Sequence, residues 1–122
     1  MADNKQYITQ VQDNGRVMIS EAVISTIVFQ ALTDIEGYVG LSAKAGSDIV
    51  ELLSKKNWGK GIKVNINEND ELSIDCNVVI SYGHSVVNVA TAIQEAIMAA
   101  LQSMTGVTVV SVNVNVCGIV RQ

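Results

Sequence analysis

The residues best suited to chemistry in this chain are one histidine, His84, and two cysteines, Cys76 and Cys117. An imidazole acts as a general base only beside a positioned partner, and a nucleophilic thiol needs a base next to it. His84 lies at a predicted strand-to-helix junction, where active sites often occur. The same segment is also typical of a turn followed by a helix cap, with Ser85 accepting from backbone N–H groups. Cys76 lies on the predicted core face, away from His84, so no catalytic residue is predicted.

Metal-binding residue types are present but do not form a site. One histidine and two separated cysteines cannot complete a four-ligand zinc shell, and the chain has no CxxC motif. The carboxylates form neither an HExxH motif nor a DxDxDG loop. Cys76 and Cys117 point to opposite faces of their strands unless a bulge intervenes, so two free thiols are expected. We predict no cofactor and no metal, and a reducing, cytoplasmic compartment.

Two segments are better suited to binding than to catalysis. Gly37-Tyr-Val-Gly40 matches the GxxG motif with which KH domains clamp a nucleic-acid backbone, but it contains no basic residue. The formal net charge of −4 also argues against nucleic acid as a partner. A lone tryptophan among lysines suits an interface anchor. Equally, the tryptophan could cover the edge of the hydrophobic core, and the lysines could belong to a solvated helix end and loop. This candidate contact patch consists of Lys55, Lys56, Trp58 and Lys60.

The hydrophobic pattern predicts the elements that position these residues. Residues 1–14 are polar and are predicted to be a flexible N-terminal segment, and residues 15–122 are predicted to form a single domain. Apolar residues recur at helical spacing over 21–35 and 85–104. Ser20 and Ser85 are the predicted N-caps of these helices, and Gly37 and Gly106 are the glycines that should end them. A smaller helix is predicted after Ser47. Alternating residues predict strands at 16–19, 39–41, 62–66, 72–82 and 110–117.

Together these elements predict an α+β fold, a two-layer α/β sandwich with helices on one face of a largely antiparallel or mixed sheet. Aromatic residues are only 4% of the chain, so the core must be aliphatic. The other face of the sheet is rich in asparagine, whose amide both donates and accepts hydrogen bonds. Simple exposure to solvent and self-association are both compatible with such a face. Its candidate interaction residues are Asn77, Asn113 and Asn115.

The start of the chain and its apolar runs also bear on localisation. The first residues are polar and lack the apolar run of a secretory signal. No stretch approaches the roughly 20 apolar residues that span a bilayer. A cytoplasmic protein without a membrane span of its own is therefore expected.

Several short segments, in their order and spacing, resemble the alkaline-shock-protein and general-stress-protein family, in particular its short single-domain branch. The resemblance extends from about Gly15 to Ile119. The segments that carry it are Gly15-Arg-Val-Met-Ile-Ser20 with Val23-Ile24, Gly37-Tyr-Val-Gly-Leu41, Lys60-Gly-Ile-Lys-Val64, Ile74 through Gly83, Val89-Ala90 with Gln94, Met104-Thr-Gly106, Val112-Asn-Val114 and Gly118-Ile119.

The resemblance implies a non-enzymatic, cytoplasmic protein of stress response and cell-envelope homeostasis. Such proteins tend to self-associate, and some are held at the membrane by a separate anchoring protein. Genes of the short branch commonly neighbour one for a kinase-like protein of fatty-acid metabolism, which implies an accessory or ligand-binding subunit as an alternative. A KH-like RNA-binding module is the third hypothesis. The family has no established catalytic residue, so none is carried over to this chain.

Overall fold

The computed structural model describes residues 6–42 and 61–121. Within these ranges the chain forms six strands and two helices. In chain order they are β1 (Tyr7–Gln12), β2 (Gly15–Ser20), α1 (Glu21–Leu32), β3 (Tyr38–Leu41), β4 (Ile62–Ile66), β5 (Leu72–Ser81), α2 (Val86–Thr105) and β6 (Val109–Val120). The predicted small helix after Ser47 and the contact patch of Lys55, Lys56, Trp58 and Lys60 lie outside the described residues.

The main sheet is organised around β5. The short strands β4 and β3 lie antiparallel along one side of β5, one against each half of its length. The final strand β6 runs parallel to β5 along the other side. A parallel neighbour needs a crossover connection, and α2 provides it between β5 and β6. The sheet is therefore mixed, in agreement with the predicted largely antiparallel or mixed arrangement.

Both helices pack on one face of this sheet, which confirms the α+β fold. Ile24, Val28 and Leu32 of α1 and Ile93 and Ile97 of α2 are fully buried. They pack against the apolar face of the sheet in a single aliphatic core. The sheet residues in that core include Ile62, Val64, Ile66, Leu72, Ile74, Cys76, Val78, Ile80 and Val112.

Local capping explains where the helices begin and end. The hydroxyl of Ser20 accepts from the Val23 N–H at 3.3 Å, and α1 begins at the next residue. Gly106 ends α2 with a φ of 68°, in the left-handed region that favours glycine. The first helix ends earlier than predicted, at Leu32. Gly37 does not cap it but occupies the turn before β3 with a φ of 93°.

The structure corrects the prediction for the N-terminal segment. Tyr7–Gln12, expected to be flexible, form β1, which pairs antiparallel with β2 along its whole length. Ile8 is buried in the core, and Gln10 Nε2 donates to the Thr105 carbonyl at the end of α2, at 2.8 Å. The sequence contained a signal for this hairpin, because a two-residue turn ahead of Gly15 joins two runs of good strand formers.

Several apolar residues also lie outside the faces predicted for them. Val110, expected on the core face, is 58% exposed because β6 bulges at its start, where Ser73 pairs with Ser111. The predicted apolar stripes of the helices are narrower than expected. The stripe residues left exposed are Val23, Val86 and Met104.

Candidate functional site

The candidate site is the face of the main sheet that the two helices leave uncovered. The pairing of β4 and β6 with β5 aligns the side chains of this face in three rows, because residues directly opposite each other lie on the same face of a sheet. The rows are Asn65–Ser73–Ser111, Lys63–Asp75–Asn113 and Asn77–Asn115. We call these eight residues the amide face. Of the three candidates predicted here, Asn113 and Asn115 are exposed and Asn77 is half-buried.

Hydrogen bonds between neighbouring strands hold the polar groups of the amide face in place. Asn115 Nδ2 donates to Asn77 Oδ1 at 3.0 Å, although the two residues are 38 positions apart in the chain. The hydroxyl oxygens of Ser73 and Ser111 are 2.9 Å apart, close enough for either to donate. These two hydrogen bonds connect side chains of β5 to side chains of β6. The structure thus brings Asn77 and Asn115 together, with Asn113 on the same face.

The charges of the amide face are balanced. Asp75 lies in its middle row, with Lys63 opposite on β4 and Asn113 opposite on β6. Asn65 Nδ2 also approaches Asp75 Oδ2 at 3.4 Å. One carboxylate and one ammonium group among neutral amides and hydroxyls give a face without net charge, on a chain whose formal net charge is −4.

The buried Val79 marks one end of the amide face, and a groove adjoins the other end. Towards the end of β5, Val79 lies between Gly40 and Gly118 and is fully buried although it is not part of the aliphatic core. At the opposite end, a groove of about 450 Å³ opens beside the turn between β4 and β5. The groove is lined by Asn65, Ile66, Asn67, Glu68, Asn69, Glu71, Leu72, Ser73, Val110 and Ser111.

The two thiols are unsuited to nucleophilic chemistry. Burial, the charge of Asp75 and the neighbouring Cys117 raise the pKa of Cys76 to about 12. Burial also raises the pKa of Cys117. A bulge does shift the register of β6 between Val116 and Gly118, yet both cysteines are free. Because the thiolate is the reactive form, these raised pKa values keep both thiols mostly protonated at neutral pH, and burial also shields Cys76 from reagents.

His84 lies at the junction between β5 and α2, next to the turn at Gly37. Its imidazole packs so closely there that a Cβ on Gly37 would lie 3.1 Å from His84 Cγ. A shallow groove of about 380 Å³ beside it also contains the carboxylates of Asp34 and Glu36. Ser85 in this groove is the N-cap of α2, accepting from the Asn88 N–H at 3.3 Å. The cap predicted at this junction is confirmed.

Three further features bear on what the protein can bind. The segment Gly37–Gly40 forms a turn and enters strand β3, whereas the KH clamp lies between two helices. Within the described ranges, no group of three or more histidine, cysteine or acidic residues is placed to hold a metal. No helix there is long and apolar enough to cross a membrane.

Sequence reasoning did not identify the outer edge of β6 as a possible binding element. This strand pairs with β5 on one side, and no other described strand lies against it. The available signal was a 12-residue strand containing neither a charged residue nor a proline. Strand assignment alone does not give the order of strands in the sheet, so it could not show that this strand lies at an edge.

Comparison with known proteins agrees with the resemblance seen in the sequence motifs. A family model described as the alkaline shock protein 23 family, with a cell-envelope-related function, matches residues 9–121. The uncharacterized protein YqhY of Bacillus subtilis is 31% identical over 121 residues, covering 98% of this chain and 89% of the relative. The uncharacterized protein Spy1614 of Streptococcus pyogenes is 35% identical over 105 residues, covering 84% of this chain and 86% of the relative.

A third relative, the uncharacterized protein YloU of Bacillus subtilis, is 31% identical over 107 residues, covering 86% of this chain and 88% of the relative. No solved structure matches the chain significantly. The family model spans both helices and all the strands of the main sheet. The chain therefore belongs to the alkaline shock protein 23 family, whose function is related to the cell envelope.

Proposed function

We propose that this protein is a non-enzymatic binding module of cell-envelope homeostasis and stress response, which self-associates and binds a protein partner through the amide face. It acts in the cytoplasm and reaches the membrane surface through that partner. The single observation that carries the proposal is the amide face itself: an ordered polar surface without net charge, on the side of the sheet that the two helices leave uncovered. The family description supports the link to the cell envelope.

The chemistry of the amide face suits contact with a second protein. Side-chain amides and hydroxyls both donate and accept, so such a face is complementary to another copy of itself as well as to exposed peptide groups. The Asn115–Asn77 hydrogen bond already holds two of the amides in position. Ordering side chains before binding lowers the entropic cost of association. The absence of net charge removes the repulsion that two copies of an acidic protein would otherwise meet.

The side chains with catalytic potential support a binding role over an enzymatic one. Cys76 is sealed in the core with a raised pKa, and Ser85 serves as a helix cap. His84 is exposed and packs on a glycine turn. None of these residues pairs a nucleophile with a base.

The alternative functions receive no comparable support. An accessory subunit that binds a lipid would use an apolar cavity between the helices and the sheet. The groove of about 450 Å³ lies instead beside the amide face, at the turn between β4 and β5. The KH-like hypothesis lacks its helix–loop–helix setting at Gly37–Gly40.

Self-association is tested by size-exclusion chromatography with light scattering over a wide concentration range. We expect a mass above that of the 13.0 kDa monomer for the wild type. Asn113→Lys adds a charge to the middle row of the amide face and should weaken association. Asn69→Lys is the matched control, because Asn69 is an exposed asparagine in the turn between β4 and β5. A wild type that stays monomeric at every concentration would contradict the self-association part of the proposal.

The role at the envelope is tested in the native host. Deleting the gene should increase sensitivity to alkaline medium and to antibiotics that act on the cell wall. Wild-type protein and Asn69→Lys should restore growth, whereas Asn113→Lys should not. Cell fractionation should find part of the wild type with the membrane and less of Asn113→Lys. Equal rescue by both variants would show that the amide face is not the functional surface.

A further inference from the structure

The outer edge of β6 is the second surface with the properties of an interface. It is the longest strand described, Val109–Val120, and β5 is its single strand partner within the described ranges. An unpaired edge presents a row of backbone N–H and C=O groups on which another strand can assemble. Proteins commonly protect such edges with charged side chains, prolines or short strands. This 12-residue strand has neither charges nor prolines.

The backbone hydrogen bonds show which groups of β6 point outwards. The odd-numbered residues of β5 bond towards β3 and β4, as when the Ser42 N–H donates to the Asn77 carbonyl at 2.9 Å. The even-numbered residues bond towards β6, as when the Leu72 N–H donates to the Thr108 carbonyl at 2.9 Å. In a parallel pair of strands, a residue whose backbone N–H and C=O point away from the partner strand forms no hydrogen bonds to it. The residue directly opposite on the partner strand forms the hydrogen bonds instead.

Asn113 lies opposite Asp75, whose backbone faces β4, so Asn113 bonds to β5. Its neighbours Val112 and Val114 therefore direct their N–H and C=O groups outwards, because alternate residues of a strand face opposite sides. An independent contact agrees with this orientation. Gln94 of α2 donates from Nε2 to the Val112 carbonyl at 3.0 Å, so this carbonyl is bound by a helix side chain at the outer edge.

The sequence along this edge is self-complementary. Residues 112–116 read Val-Asn-Val-Asn-Val and are symmetric about Val114. Two such strands laid antiparallel about a two-fold axis at Val114 place valine against valine on the helix side of the sheet. On the amide-face side they place Asn113 against Asn115 of the second copy. Isologous contacts of this kind are the commonest basis of symmetric dimers.

We propose that two copies of this chain join edge to edge through β6, antiparallel and centred on Val114, to form one continuous sheet. The inference rests on the self-association in the proposed function and specifies its geometry. Each Val114 exchanges its backbone N–H and C=O with Val114 of the second copy, with the two strands about 4.8 Å apart. The half-buried Val114 then packs against Val114 of the second copy, and the half-buried Val116 packs against Val112 of the second copy.

This pairing joins the two amide faces into one surface of double width. The row Asn77–Asn115 of one copy continues into Asn113 and Asp75 of the second copy. Most of the double face remains open for a partner, because the edge contact uses the backbone groups of β6 and the valine side of the strand, and on the amide-face side only Asn113 and Asn115 meet. The edge contact adds to the amide-face contacts of the proposed function, and substitutions at Val114, on the opposite side of the strand from Asn113, test it separately.

Charge substitutions at Val114 test the edge contact. Like charges placed directly opposite each other across a strand pair are destabilising, and residue 114 is its own partner at the two-fold axis. We expect Val114→Lys and Val114→Glu each to raise the dimer dissociation constant roughly tenfold or more. An equimolar mixture of the two variants should form a heterodimer, because lysine then faces glutamate. The measurements are light scattering for mass and native mass spectrometry for the heterodimer.

The matched controls are Val87→Lys and Val87→Glu, since Val87 is an exposed valine on α2 and away from β6. They should associate like the wild type, and circular dichroism should show folded protein for all four variants. Hydrogen exchange supplies a second readout on the wild type: the amides of Val114 and Val116 should become protected as protein concentration rises.

The outcomes separate the edge contact from the proposed function. Weakened association of both single variants, with recovery in the mixture, supports pairing about Val114. A wild type that self-associates while both Val114 variants associate equally well overturns the edge contact and leaves the proposed function intact. Weakened association without recovery in the mixture, or amides of Val114 and Val116 that stay unprotected in the oligomer, also overturns it. A strictly monomeric wild type overturns both.

Discussion

Raising the pH should destabilise this protein through the buried thiol of Cys76. The folded state raises the pKa of this thiol from its ordinary value of 9.0 to about 12, first by burial and then through the charge of Asp75 and the nearby Cys117. Above pH 9 the unfolded chain therefore releases a proton that the folded chain retains. The free energy of unfolding must then fall as pH rises from about 9 towards 12, because stability falls wherever the unfolded state binds fewer protons.

The size of this loss follows from the two pKa values. At pH 10.5 the unfolded thiol is about 1.5 units above its pKa while the folded thiol remains mostly protonated, so Cys76 alone removes about 2 kcal/mol relative to pH 8. Tyr38 adds to the loss above pH 10, because burial and the neighbouring Cys76 raise its pKa from 10.0 to about 12. The contribution of the thiol must therefore be isolated by substitution.

The assay is urea unfolding at pH 8 and pH 10.5, monitored by circular dichroism. A reductant in the buffer prevents disulfide formation. A loss of 2 kcal/mol should lower the urea midpoint by roughly 1–2 M. Cys76→Ala is less stable at pH 8 by about 1–2 kcal/mol, because it leaves a cavity in the core. Between pH 8 and pH 10.5, the free energy of unfolding of Cys76→Ala should fall by about 2 kcal/mol less than that of the wild type. Equal losses in the two proteins would refute the reasoning.

Two further predictions concern reactivity and backbone strain. A thiol reagent at pH 8 should modify Cys117 of the native protein and reach Cys76 only after unfolding, as mass spectrometry of the labelled peptides would show; rapid native labelling of Cys76 would contradict its burial. Gly37→Ala should lower the free energy of unfolding by about 2–4 kcal/mol, because the added Cβ combines a strained φ with overpacking. That Cβ would lie 2.9 Å from Val89 Cγ2. Gly83→Ala is the control, because Gly83 has a similar φ of 100° but no atom within 4 Å of the new Cβ. It should lower the free energy of unfolding by only about 1–2 kcal/mol. Thermal or urea unfolding measures both variants. Equal losses for the two variants would show that close packing at Gly37 is unimportant.

The helices and long strands were predictable because their signals are local. The serine caps at Ser20 and Ser85 and the glycine stop at Gly106 are each set by a few neighbouring residues. The end of α1 was predicted too late, because the apolar spacing continues to Ile35 although the helix ends at Leu32. Spacing alone does not show where backbone hydrogen bonding stops.

The candidate site was predictable only in part. Alternation along β5 and β6 correctly assigned Asn77, Asn113 and Asn115 to the face opposite the core. It could not predict the bulges at Val110 and Cys117, because a bulge depends on how two strands distant in the chain align. Nor could it predict that Val79, on the same side as the asparagines, is fully buried.

The two helices, the strands of the main sheet, the aliphatic character of the core and the family could be predicted from the sequence, because periodicity, capping and motif order are local features of the chain. The order of the strands, the position of β6 at an edge and the contact between Asn115 and Asn77, 38 residues apart, became visible only in the folded structure. These features depend on contacts between distant segments, whose register is set by the packing of the whole core. The surfaces proposed for self-association and partner binding belong to this second group.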